Sequence, residues 1–93
     1  MIIGIYEISL RLPGIHSLKE KRSVLKPLYS RIRQRFNVSL AEVGGQDKWQ
    51  LAELAVACVA VDSVHAHRLL EQVLDFIERD GNVQVISSNL QII

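Results

Sequence analysis

This chain is poor in the residues that make specialised chemistry easy to read. It has one cysteine, two prolines, five glycines and five aromatics in 93 residues. A single thiol cannot form an internal disulfide, and Cys58 lies in the apolar run Leu54-Ala55-Val56-Ala57-Cys58-Val59-Ala60-Val61. No charged neighbour is there to activate the thiol, so it reads as a small buried hydrophobe. That usage suits a reducing compartment. The N-terminal Met1-Ile2-Ile3-Gly4-Ile5-Tyr6-Glu7 has no basic region or cleavage site of a secretory leader. No apolar run approaches the roughly 18 residues of a membrane span. The expectation is a soluble, cytoplasmic protein. Net charge is only +1 and hydrophobic residues make up 48%, which excludes a disordered tail. One domain over residues 1–93 is predicted. A chain of this length can bury roughly 60–65% of its unfolded surface without a metal staple.

What is present is ordered patterning. Residues 2–11 alternate, with Tyr6, Ile8 and Leu10 on one face and Glu7, Ser9 and Arg11 on the other, a period-two strand closed by Pro13-Gly14. Ser17 and Glu20 then have the spacing of a capping box. Leu18, Leu25, Leu28, Tyr29, Ile32 and Phe36 recur at helical spacing, and Asn37 is a left-handed closing residue. Pro27 lacks a donor and its ring opposes the carbonyl of Ser23. It predicts a kink near Val24–Lys26, or two abutting helices. Val38–Val43 reads as a second strand, Gly44-Gly45-Gln46-Asp47 as a turn and Trp49–Val61 as a third strand, apolar on both faces. Asp62 or Ser63 caps a second helix whose stripe is Val64, Leu69, Leu70, Val73, Leu74, Phe76 and Ile77, with Gly81 at its C-terminal cap. Val83–Ile93 completes the chain as a strand with Ile86, Leu90 and Ile92 on one face.

The order β-α-β-β-α-β, with right-handed crossovers, predicts an α+β, ferredoxin-like plait: a four-stranded antiparallel sheet, first and third strands central, both helices on one face.

Charge is unevenly placed. From Arg11 to Arg35 there are eight basic residues and one acid, a net +7 that leaves −6 elsewhere. Lys19, Lys21, Arg22, Lys26, Arg31, Arg33 and Arg35 all fall on the first helix and form the candidate nucleic-acid-binding set, since clustered cations displace counterions from phosphate backbones. The competing reading is a solvated face, or one paired with Glu71, Asp75 and Glu78 of the second helix. An acidic protein partner is a third.

The sheet carries no base-stacking pair of aromatics like that of an RNA recognition motif, for the central strands offer only Tyr6 and, at one end, Trp49. Any RNA contact is therefore expected through phosphates and shape. His65 and His67 are two apart on a helix and diverge, and no other ligand lies at metal spacing, so no metal and no cofactor is expected. Pro13-Gly14-Ile15-His16-Ser17 lacks the ending of a phosphate loop. Glu42, Asp47 and Glu53 cluster around the hairpin as solvated carboxylates, and no catalytic set can be assembled. The outer sheet face, with Ala55, Ala57 and Val59 beside Trp49, is the candidate interface of a homodimer that packs sheet on sheet or edge on edge.

Ser17-Leu18-Lys19-Glu20-Lys21-Arg22-Ser23-Val24-Leu25-Lys26, and Phe36-Asn37-Val38-Ser39-Leu40-Ala41-Glu42-Val43 followed by Gln46-Asp47 and Trp49-Gln50, resemble the YlxP-like family of small bacterial proteins of unknown function. The match covers nearly the whole chain. The resemblance implies a ferredoxin-like fold. Genes of that family commonly lie among translation and ribosome-maturation genes, which implies a role near RNA or the ribosome. The matching positions include Lys19, Glu20, Lys21, Arg22, Lys26, Glu42, Asp47 and Trp49. The family supplies no catalytic residue to carry over. Two function classes follow: a non-enzymatic module binding structured or ribosomal RNA through the basic helix, and a homo-oligomeric interaction module using the outer sheet face.

Overall fold

The computed structural model describes all residues, 1–93, as β1 (Ile2–Arg11), α1 (Leu18–Arg35), β2 (Ser39–Gly44), β3 (Leu51–Ala60), α2 (Ser63–Glu78) and β4 (Gln84–Ile92). The strands form one antiparallel sheet in the order β2-β3-β1-β4, so β1 and β3 are central. This is the ferredoxin-like arrangement. No helix is long and apolar enough to cross a membrane.

The alternation of β1 decides which face is covered. Tyr6, Ile8 and Leu10 are buried, and pair across the sheet with Val56, Leu54 and Ala52 of β3. Leu25, Leu28, Tyr29 and Ile32 of α1, and Ala66, Leu70, Val73, Leu74 and Ile77 of α2, close over them in a core of 20 buried apolar residues that includes Cys58. Gly4 permits the tightest of these contacts: a Cβ there would lie 3.0 Å from Leu70 Cδ1 and 3.2 Å from Ala66 Cβ.

Several boundaries differ from expectation, each for a physical reason. α1 runs unbroken through Pro27, so the two-helix alternative is wrong. Pro27 removes a single bond to the Ser23 carbonyl, while burial of Leu25 and Leu28 on either side keeps the turns in line. Asn37 is not left-handed, because α1 closes on Phe36 in extended backbone whose amide still donates to the Ile32 carbonyl. Gly81 is not the cap of α2 either, since Arg79 caps it in helical backbone and only Gly14 and Gly45 have positive φ. β3 starts at Leu51 rather than Trp49 because the chain before it is drawn into the turn, where the Lys48 carbonyl accepts from Lys21 of α1. In β4 the pairing register shifts between Ser9 and Leu10, leaving Ile86 unpaired and 55% exposed, not on the face of Leu90.

Candidate nucleic-acid interface

α1 begins at a true cap. The Ser17 side chain accepts from the Glu20 amide at 3.1 Å, fixing the start and hence the phase of every side chain after it. At 3.6 residues per turn, Lys21 falls on the stripe of Leu25, Leu28 and Ile32, facing inward. It is 0% exposed. Its ammonium donates to the carbonyls of Gly45 and Lys48, both at 2.6 Å. Burial pulls its pKa down, opposed by the nearby Glu42 carboxylate. Lys21 is thereby withdrawn from the basic surface and serves instead as a pin holding the β2–β3 turn against the helix.

The next residue does related work. Arg22 Nη2 donates to both oxygens of Glu42, at 2.9 and 3.0 Å, and the Tyr29 hydroxyl donates to Glu42 Oε1 at 2.6 Å. Glu42 is not a solvated hairpin carboxylate, for only 10% of its side chain is exposed. Burial first, and then the bond to Glu42, drive the Tyr29 pKa up. One turn further on, Arg33 Nη2 donates to the Leu40 carbonyl at 2.9 Å.

The far flank of α1 is engaged differently. Arg31 reaches Asp80 at 3.4 Å, and Arg35 lies over the Phe36 and Phe76 rings at 5.8 and 5.5 Å. The expected pairing of α1 with Glu71, Asp75 and Glu78 does not occur: the acids that meet its arginines are Glu42 on β2 and Asp80 beyond α2. Glu71 accepts from the Tyr6 hydroxyl at 3.3 Å.

What remains toward solvent is a row. Lys19, Arg22, Lys26 and Arg33 lie within an arc of about 60° and span about 21 Å along the axis. Lys19 and Lys26 make no ion pair or hydrogen bond through their ammonium groups, whereas Arg22, bonded to Glu42, is half-exposed and Arg33, bonded to the Leu40 carbonyl, is exposed. Ser23 and Ser30 complete the exposed surface between them.

The hairpin sets Trp49 apart. Lys21 holds the Lys48 carbonyl, the Leu12 amide donates to the Gln50 carbonyl at 2.9 Å, and Gln50 Nε2 donates to the Ile15 carbonyl at 3.1 Å. Between these ties the Trp49 ring is 50% exposed, in an open groove with Arg11, Lys48, Leu51 and Ile86. On the outer sheet face Ala55 and Ala57 are half-buried and Val59 is 68% exposed. The face is not continuously apolar. Glu7, Glu53, Ser87 and Asn89 occupy its middle, between Ile3 and Val59 at one end and Trp49, Leu51 and Ile86 at the other.

A family model described as "Protein of unknown function (DUF503)" matches residues 3–90. The chain belongs to that family. The "Uncharacterized protein YlxP" of Bacillus subtilis (strain 168) is 40% identical over 77 residues, 83% of this chain and 84% of that one. Among solved structures, the de novo designed protein Foldit4 aligns with a TM-score of 0.53 at 16% identity, over 98% of this chain and 96% of its own. A second designed protein with a ferredoxin fold, LFR1 1, aligns at 0.56 and 15% identity, over 98% and 86%. These likenesses bear on fold alone. The two segments that carry the family resemblance meet in space: Lys21 and Arg22 come from the first, Glu42 from the second.

Two of these roles had a sequence signal. Lys21 stands four and seven residues before Leu25 and Leu28, squarely on the buried stripe, and Glu42 has the parity of buried Leu40. The tie between Gln50 and Ile15 has none, because it joins residues 35 apart across two loops.

Proposed function

We propose that this protein binds structured RNA, ribosomal RNA being the first to try, through the phosphate backbone, using the row Lys19, Arg22, Lys26 and Arg33 on α1. The observation that carries the reading is that row itself: three exposed cations, Lys19, Lys26 and Arg33, and the half-exposed, Glu42-paired Arg22 on one arc of a helix in a chain of net charge +1. Lys21 is excluded from the contact set, and Arg31 and Arg35 lie on the opposite flank. Because Arg22 and Arg33 are already oriented by Glu42 and Leu40, they lose little side-chain freedom on meeting a phosphate. The RNA contact is read as positioning rather than sequence-specific, since no base-reading element adjoins the row.

The test is a titration of a ribosomal RNA fragment across salt. Three to four phosphate contacts give a slope of log affinity on log salt of about −2 to −4. The double variant Lys19→Glu, Lys26→Glu removes only unpaired ammonium groups, so it keeps the fold and loses binding. Arg22→Glu is unsuitable, because it would break the bond to Glu42. Affinity unchanged in the double variant, or no binding by the parent protein, refutes the reading.

A further inference from the structure

The sheet ends in two unlike edges. β2 is short, with six residues, and its register shifts between Glu42 and Gly44. Arg33 occupies the Leu40 carbonyl, and Glu42 places a charge on the inner face, sealed by Arg22 and Tyr29. These are the devices by which proteins blunt a free edge. Leu40 behind them is buried.

β4 has little of this. From Val83 to Ile93 the chain is Val-Gln-Val-Ile-Ser-Ser-Asn-Leu-Gln-Ile-Ile, without a charge or a proline. Its inner-face residues Val85 and Leu90 are only partly buried, and Ile92 is exposed. After the irregularity at Ile86, Ser87–Ile92 pairs regularly with β1. Ile3 and Ile93 exchange both of their backbone bonds, at 3.2 and 2.7 Å. Antiparallel ladders alternate, so Ser87, Asn89 and Gln91 spend their backbone groups on β1, while those of Ser88, Leu90 and Ile92 point away from the sheet.

We infer that β4 is a pairing edge, and that its occupant is β4 of a second copy of this chain, antiparallel about a two-fold axis normal to the sheet. Two arguments select a second copy. An antiparallel pair of identical strands matches its own backbone donors and acceptors by symmetry. Its weakness is side-chain charge, because each charge then meets its own copy near the axis; β4 has none. A foreign strand, by contrast, is selected by side-chain pockets or complementary charges, and β4 carries no charge to complement. The resulting eight-stranded sheet keeps all four helices on one face, so both α1 rows face the same side.

The experiment is sedimentation equilibrium from about 1 µM to about 1 mM, a range that covers weak strand-pairing affinities. The parent protein shows its mass doubling from 10.5 kDa with concentration. Ser88→Pro removes an outward amide that β1 does not use, and Asn89→Lys puts a like charge beside the axis; both yield monomers with the parent circular dichroism. Val43→Lys, on the β2 edge, stays dimeric. If Ser88→Pro does not fold, Asn89→Lys alone decides. A parent that is monomeric throughout, or a dimer that survives either substitution in a folded protein, overturns the inference.

Discussion

The Tyr29 hydroxyl donates to Glu42 Oε1 at 2.6 Å, joining the middle of α1 to the inner face of the edge strand β2. The bond holds a mostly buried carboxylate that Arg22 also contacts. Tyr29→Phe removes one donor and leaves the oxygen short of a partner, at a cost of about 1–3 kcal/mol. Urea unfolding at neutral pH measures it.

The same contact sets an alkaline limit. Folded Tyr29 holds its proton well above the ordinary tyrosine value of 10.0, mainly through burial. As pH rises past that value the unfolded chain loses this proton and the folded chain keeps it, so the unfolded state binds fewer protons and stability falls. Unfolding midpoints taken between pH 9 and 11 should drop above about pH 10, and drop less in Tyr29→Phe. An equal slope in the two proteins contradicts this.

Lys21 acts in the opposite sense. Burial lowers its pKa, so the folded state sheds this proton before the unfolded state does. Stability from this group alone rises with pH over the interval below the ordinary value of 10.5. Lys21→Ala leaves the Gly45 and Lys48 carbonyls without their donor, at about 1–3 kcal/mol each where water does not replace it. Thermal melts report the loss, and amide exchange locates it in residues 44–50.

Gly4 allows α2 to sit against β1. A Cβ would already approach Leu70 and Ala66, so Gly4→Val should destabilise by about 1–3 kcal/mol through overpacking. Gly81→Ala, where nothing lies within 4 Å and φ is not positive, should stay within about 0.5 kcal/mol. The pair of denaturation curves separates close approach from a general cost of losing glycine.

Trp49 is the sole tryptophan and half-exposed, so its emission should resemble free indole in water and be readily quenched by acrylamide. Trp49→Phe should leave the melting temperature within about 2 °C, since no core contact is lost. A blue-shifted, protected emission would mean the ring is covered.

The fold was legible because its signals are local and repeated: β1 alternates cleanly, both N-caps, Ser17 and Asp62, stand where helices start, and the strand order follows from the element order. The candidate site was legible in composition but not in engagement. Lys19 and Lys21 look alike as letters, and only the phase set by Ser17 turns one to solvent and the other inward. Arg22 meets Glu42 across 20 residues, and Arg31 meets Asp80 across 49, pairings fixed by tertiary packing. Ile86 was misplaced because one extra residue in the ladder reverses parity, and nothing in Val-Ile-Ser-Ser announces it.

The lysine buried between helix and turn also fixes a distance. Through Lys21 the helix, and through Gln50 the loop before it, are tied to the two sides of Trp49, so the row on α1 and the indole on the hairpin belong to one stiff piece. That piece is a ruler whose marks are backbone: the helix that bears the cationic row and the turn that bears Trp49 cannot slide past one another. Any molecule that touches both must match that interval to within the reach of the side chains, whereas one that touches the cations alone is free of that demand.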